Sequence, residues 1–133
     1  MAKVLVVEDN TTLREGIVQV LKRMGHETVD ASGCAQGIER YRAEKPDLVI
    51  TDLKMDGVDG MAVLQTILKD DADALVMIVT AFGSIEKAVD AMQRGAYDFI
   101  PKPFPPDLLR TKVEKALQLG QERARGERLS REH

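Results

Sequence analysis

Three near-continuous apolar runs, Val4–Val7, Leu48–Ile50 and Leu75–Val79, constrain this chain most. Strands buried on both faces read this way, as parallel strands between helices do. With two weaker runs they give strand candidates at 3–8, 27–31, 47–51, 75–79 and 97–100. The second, Glu27–Ala31, is the most polar and suits a sheet edge.

Helical patterns fill the gaps. The first carries Leu13, Ile17, Val20, Leu21 and Met24 on one stripe, with Thr12 and Glu15 as a capping box and Gly25 as its stop. The second shows Cys34, Ile38 and Tyr41 and ends before Pro46, and the third carries Met61, Leu64, Ile67 and Leu68. The fourth sets Ile85, Ala88, Val89 and Met92 on its apolar side, between a Ser84 cap and Gly95. The fifth follows Pro105-Pro106 with Leu109, Val113, Ala116 and Leu117. Strand–helix alternation with short loops implies right-handed crossovers. The fold class is therefore α/β: one doubly wound, five-stranded parallel sheet of flavodoxin-like order 2-1-3-4-5, with five helices. In that order strands one and three are neighbours where the winding reverses, and ligands bind beyond the carboxyl ends of the strands.

Polar groups gather at those ends. Glu8 and Asp9 follow the first run, Asp52 the third, and Lys102 stands in FIPKPF after the fifth. Three carboxylates so close repel one another, and a cation relieves them. Formal charge is −3 from the acids and +1 from Lys102, which leaves −2 for a hard, oxygen-seeking divalent ion such as Mg²⁺. A carboxylate beside such an ion can attack phosphorus. Asp52, on the central strand, is the best nucleophile, with Glu8 and Asp9 as metal anchors. Prolines 101 and 103 frame Lys102, and Lys102–Pro103 is a candidate cis peptide. Thr80 either caps a helix or donates to a phosphoryl oxygen, with small Ala81 leaving room beside it. Phe99, Phe82, Tyr97 and Phe104 read as core, and His26 as a solvated loop residue.

Other classes are disfavoured. A net charge of −3 argues against general nucleic-acid binding. The single cysteine, Cys34, excludes an internal disulfide and fits a reducing compartment. The apolar stretch in MAKVLVV is too short for a signal peptide or a span, so a soluble cytoplasmic protein is expected. No Cys/His spacing suggests zinc, and no glycine-rich loop follows the first strand to bind a nucleotide. Residues 120–133 hold four Arg and three Glu and read as a charged helical extension, either a frayed tail or a linker.

The runs VLVVEDN, DLVITDLKMDGVDGM, VTAFGS and GAYDFIPKPF, in this order and spacing, closely resemble the receiver domains of bacterial two-component response regulators. The resemblance covers about residues 3–119 and divides the chain into a receiver domain, 1–119, and the extension, 120–133. It implies that Asp52 accepts a phosphoryl group from a sensor histidine kinase. It implies that Asp9, Asp52 and the Lys54 carbonyl hold Mg²⁺, with Glu8 joining them directly or through water. Thr80 becomes the switch hydroxyl, Lys102 the phosphate-contacting lysine and Phe99 the switch aromatic. The stretch from Thr80 to Phe104 is similar to receivers of the nitrogen-regulator type, which precede an ATPase and a DNA-binding domain. The implied function is a signalling switch rather than an enzyme, apart from slow self-dephosphorylation. Its surface of fourth helix, fifth strand and fifth helix, or its C-terminal helix, would control a homodimer, without nucleic-acid or membrane contact by this domain. Asp56 departs from the pattern, where proline is common, and Lys54 and Phe82 flank the site. A phosphatase with an aspartyl-phosphate intermediate shares the nucleophile and metal. Such enzymes place a second acid two residues on, where this chain has Lys54.

Overall fold

The computed structural model describes residues 2–55, 58–80 and 85–131, with 54, 55, 58, 59 and 124–131 by backbone alone. Ala81, Phe82, Ser84, Asp56 and His133 lie outside the described residues. Five parallel strands form one sheet: β1 (Lys3–Val7), β2 (Glu27–Ala31), β3 (Leu48–Asp52), β4 (Val76–Thr80) and β5 (Asp98–Pro101). Their spatial order is β2-β1-β3-β4-β5, the doubly wound order expected. The helices are α1 (Thr11–Arg23), α2 (Cys34–Glu44), α3 (Met61–Asp70), α4 (Ile85–Gln93) and α5 (Pro106–Arg131). An unforeseen antiparallel ribbon joins Lys54–Met55 to Val58–Asp59 between β3 and α3.

The apolar runs split their side chains between two cores. Val4, Val6, Leu48, Ile50, Met77 and Val79 face α1 and α5, where Ile17, Leu21, Leu109, Val113 and Ala116 meet them. Leu5, Val7, Val49, Val76 and Ile78 face the side covered by α2 and α3, where Gly37 lies against Val7 and where Val63, Leu64 and Ile67 pack, and Ala91 of α4 shares that side. Burial on both faces explains the absence of alternation in these runs.

Several boundaries and caps differ from expectation. Strands β3, β4 and β5 each start and end one residue later, because ladder pairing decides where they stop. Asp52 pairs with Val79, and Thr80 with Pro101. The cap of α1 is Asn10, not Thr12: its side-chain oxygen accepts the Leu13 N–H at 2.9 Å. Asn10 has this role because its own N–H is held by Glu8 Oε2 at 3.2 Å. His26 is half-buried rather than solvated, with Nδ1 accepting the Ala2 N–H at 3.3 Å. Gly25 and Gly95 do end α1 and α4, at φ of 89° and 111° that favour glycine.

The fourth helix departs most. Ala88 and Ala91 are buried, whereas Ile85, Val89 and Met92 are 68%, 48% and 37% exposed. The helix is turned by about 90° from the predicted stripe, at 3.6 residues per turn. Small alanines let it lie close to the sheet and leave the larger side chains outside. A fully buried Leu or Ile contributes about 2 kcal/mol and an alanine far less. By its own buried side chains α4 is thus held much more weakly than α3, which buries Met61, Val63, Leu64 and Ile67.

The fifth helix continues past Leu119 to Arg131 without a break. Its extension stays in touch with the domain as far as Arg123, whose Nη1 donates to the Asp73 carbonyl at 3.2 Å.

Candidate functional site

The carboxyl edge of the sheet gathers the predicted residues. Glu8 and Asp9 follow β1, Asp52 ends β3 and Thr80 ends β4. Parallel pairing in register fixes the first two strands: Val7 of β1 faces Thr51 of β3, so the next residues on each chain are neighbours. Carboxylate oxygens of Glu8, Asp9 and Asp52 lie within 4.8 Å of one another. Glu8, Asp52 and Thr80 are buried.

Lys102 bridges the cluster. Its Nζ donates to Asp52 Oδ2 at 2.8 Å and lies 3.0 Å from Glu8 Oε1. The backbone aims it: Lys102 N–H donates to the Thr80 carbonyl at 2.7 Å, and Lys102–Pro103 is cis, as expected. Thr80 therefore stands beside the lysine through the main chain. Phe99 lies three residues before the lysine, pairs with Ile78 and packs half-buried against the α3 side of the core. Lys54 opens the ribbon two residues beyond Asp52.

Electrostatics match this geometry. Burial pushes the Glu8 carboxyl up to about 7; its contacts with Lys102 and the Asn10 N–H pull the other way, and Asp9 and Asp52 add to the rise. Burial works against the Lys102 ammonium, but its hydrogen bond to Asp52 and its ion pair with Glu8 outweigh this and raise its pKa. Oxygen donors alone, crowded negative charge and a buried Glu8 Oε1 that no aligned hydrogen bond reaches among the described residues suit a hard divalent cation. The cluster could hold one.

Two supporting residues escaped sequence reasoning. Arg14 donates from Nη1 to the Glu8 carbonyl at 2.7 Å and from Nε to Asp30 Oδ2 at 3.2 Å. Gly60, which caps α3, passes so close to Asp52 that a Cβ there would strike the Asp52 carbonyl and the Leu53 backbone. A glycine directly before the apolar pattern of α3 hints at Gly60, whereas Arg14 carries no sequence signal beyond its place in the first turns of a helix.

Residues 4–114 match the response regulator receiver domain. The chain is 37% identical over 116 residues to the chemotaxis protein CheY of Bacillus subtilis, covering 86% of this chain and 97% of that one. It is 36% identical over 117 residues to the C4-dicarboxylate transport transcriptional regulatory protein DctD of Pseudomonas aeruginosa. That match covers 88% of this chain, which spans only 25% of the regulator's length. Among solved structures, NtrX from Brucella abortus superimposes with a TM-score of 0.91 at 35% identity, covering 96% of this chain and 29% of that one. The isolated NtrX receiver domain gives 0.83 at 38% identity, covering 86% and 98%. Since the family match takes in every strand of the sheet, and a relative of receiver length shares more than a third of its residues, the chain belongs to the response regulator receiver domain family of two-component signalling proteins.

Proposed function

We propose that Asp52 is the residue that accepts the phosphoryl group, and that Mg²⁺ assists it. Receiver domains take phosphoryl groups from sensor histidine kinases. One observation carries the assignment to Asp52: on the central strand, within 4.8 Å of two further acids, its carboxylate accepts the aligned hydrogen bond from Lys102 Nζ at 2.8 Å. An Asp52 oxygen bonds to phosphorus as the P–N bond to the kinase histidine breaks, and the imidazole keeps the bonding pair. Asp9, Asp52 and the Lys54 carbonyl would hold Mg²⁺, with Glu8 joining directly or through water. The ion, when bound, offsets charge on the phosphoryl oxygens. Lys102 then leaves its contact with Asp52 and pairs with a phosphoryl oxygen.

Phosphorylation adds roughly −1.5 to −2 charge. Thr80 turns its hydroxyl toward that charge, and Phe99 repacks into the space. The weakly anchored α4, with Ile85, Val89 and Met92 outward, is the element this two-state change moves most easily. The surface of α4, β5 and α5, or the C-terminal part of α5, then favours a homodimer. Residues 1–119 form the receiver and 120–133 a linker, of which 120–131 extend α5. Output is transcription control by further domains, as the relative DctD, a transcriptional regulatory protein, suggests. The domain works in the cytoplasm, touches neither nucleic acid nor membrane, and performs no turnover beyond slow loss of its own phosphoryl group. Among the described residues no helix is long and apolar enough to cross a membrane.

Incubation with acetyl phosphate and Mg²⁺ tests this. Intact-mass spectrometry should show one phosphoryl added, lost with EDTA and lost in Asp52→Asn. Equal labelling of the Asp52→Asn variant would overturn the assignment.

A further inference from the structure

We infer that Arg14 is a positioning residue for the acidic pair: it fixes the peptide between Glu8 and Asp9 so that both carboxylates turn into one site. The inference rests on the reading of that site as a Mg²⁺-dependent phosphoryl acceptor.

Glu8 and Asp9 lie beyond the last residue of β1, so no ladder with β3 holds them there. Two other anchors hold the Glu8 backbone. Its N–H donates to the Ala31 carbonyl at 3.0 Å. Its carbonyl, part of the Glu8–Asp9 peptide, accepts from Arg14 Nη1 at 2.7 Å. The Arg14 side chain is only 15% exposed, which makes this charge-assisted bond stronger than a surface contact. Asp30 on β2 grips the same guanidinium through Nε at 3.2 Å. The guanidinium fork thus ties α1, β2 and the end of β1 at one point. Adjacent residues naturally point apart, and a rotation of the Glu8–Asp9 peptide would swing one carboxylate out of the cluster. Arg14 opposes that rotation through its bonds to the Glu8 carbonyl and to Asp30.

Electrostatics alone and positioning predict opposite signs. Arg14 is a cation near a cation site, so removing its charge should tighten Mg²⁺ binding if charge were all that mattered. If it positions the pair, Arg14→Met should weaken Mg²⁺ binding, roughly tenfold by analogy with other groups that orient metal ligands. Arg14→Lys, which keeps the charge but loses the fork, should weaken it too. Asp30→Asn, on the solvent side, should weaken it by a smaller factor.

The experiment is calorimetric titration of Mg²⁺ into the whole chain and the three variants, with thermal unfolding in EDTA alongside. The expected result is weaker binding in the order Met, Lys, Asn, beyond what any loss of stability explains. Unchanged or tighter binding by Arg14→Met and Asp30→Asn, with wild type binding normally, overturns the role of Arg14. Should Arg14→Met fail to fold, Arg14→Lys decides it: charge alone predicts unchanged binding and positioning predicts weaker binding. Failure of wild type to bind Mg²⁺ overturns the parent reading, and this inference with it.

Discussion

The two edges of the sheet use the same residue types to opposite ends. At the amino edge Lys3 reaches Glu44 at 3.4 Å and Glu27 at 3.8 Å, and Asp47 accepts the Lys3 N–H at 2.8 Å. The two lysines are about equally exposed, but here the Glu27 and Glu44 carboxylates are open to water at 58% and 40%, where such pairs contribute little. At the carboxyl edge one ammonium serves the buried carboxylates of Glu8 and Asp52, with Asp9 beside them. Burying charge without equal compensation is unfavourable. The amino edge is arranged for solubility, whereas the carboxyl edge holds a strained charge balance that a cation and a phosphoryl group can relieve. The contrast teaches where to look for function: at the charges that the fold could have left in water and did not.

The largest effect should come from backbone crowding at the two edges. Gly60→Ala drives a methyl into the Asp52 and Leu53 backbone and should cost about 3 kcal/mol in urea unfolding. Gly120→Ala, near the amino edge, meets only the end of the flexible Leu75 side chain at 3.2 Å. It should change stability by less than about 1 kcal/mol, since helix propensity favours alanine. Equal losses would erase the difference in rigidity between the edges.

Charge removal comes next. Lys102→Met leaves Glu8 and Asp52 without their ammonium and should destabilise the metal-free protein by about 2 kcal/mol, reduced from the fully buried case by partial exposure. Lys3→Met at the amino edge should stay within about 0.5 kcal/mol. Chemical denaturation of both variants in EDTA makes the comparison, and matching losses would contradict it.

A smaller, pH-dependent effect follows from Glu8. Its carboxyl is raised from 4.5 to about 7, so the native state binds its proton more tightly than the unfolded chain does. Its unfavourable contribution is full above pH 7 and is relieved as pH falls through 7 toward 4.5. Metal-free wild type should therefore gain stability relative to Glu8→Gln across that window. Parallel pH–stability curves would contradict the raised Glu8 carboxyl. Mg²⁺ affinity should also fall below pH 7, because the ion and the proton compete for this carboxyl.

The edges also differ in how legible they were. The unbroken runs of β1, β3 and β4 reveal strands buried on both faces, and alternation with helices yields the winding order, so Glu8, Asp9, Asp52 and Lys102 could be brought together from sequence. What escaped depends on contacts across the fold. Asn10 caps α1 because the Glu8 carboxylate holds its amide, so the Thr12–Glu15 pattern misled. The face of α4 turned because alanines permit closer approach than Ile85 or Val89. Two-residue strands at Lys54–Met55 and Val58–Asp59 have no period to read. Arg14 looks like any helix-surface arginine until the Glu8 carbonyl is seen beside it.

Site mapping of the phosphoryl group tests the central claim most directly. Borohydride reduces an aspartyl phosphate to homoserine, which peptide mass spectrometry locates. After phosphorylation by acetyl phosphate with Mg²⁺, the account predicts homoserine at position 52 alone. Homoserine at position 9 or 59, 2-amino-5-hydroxypentanoic acid at position 8, or a phosphorylated chain with Asp52 intact, would contradict it.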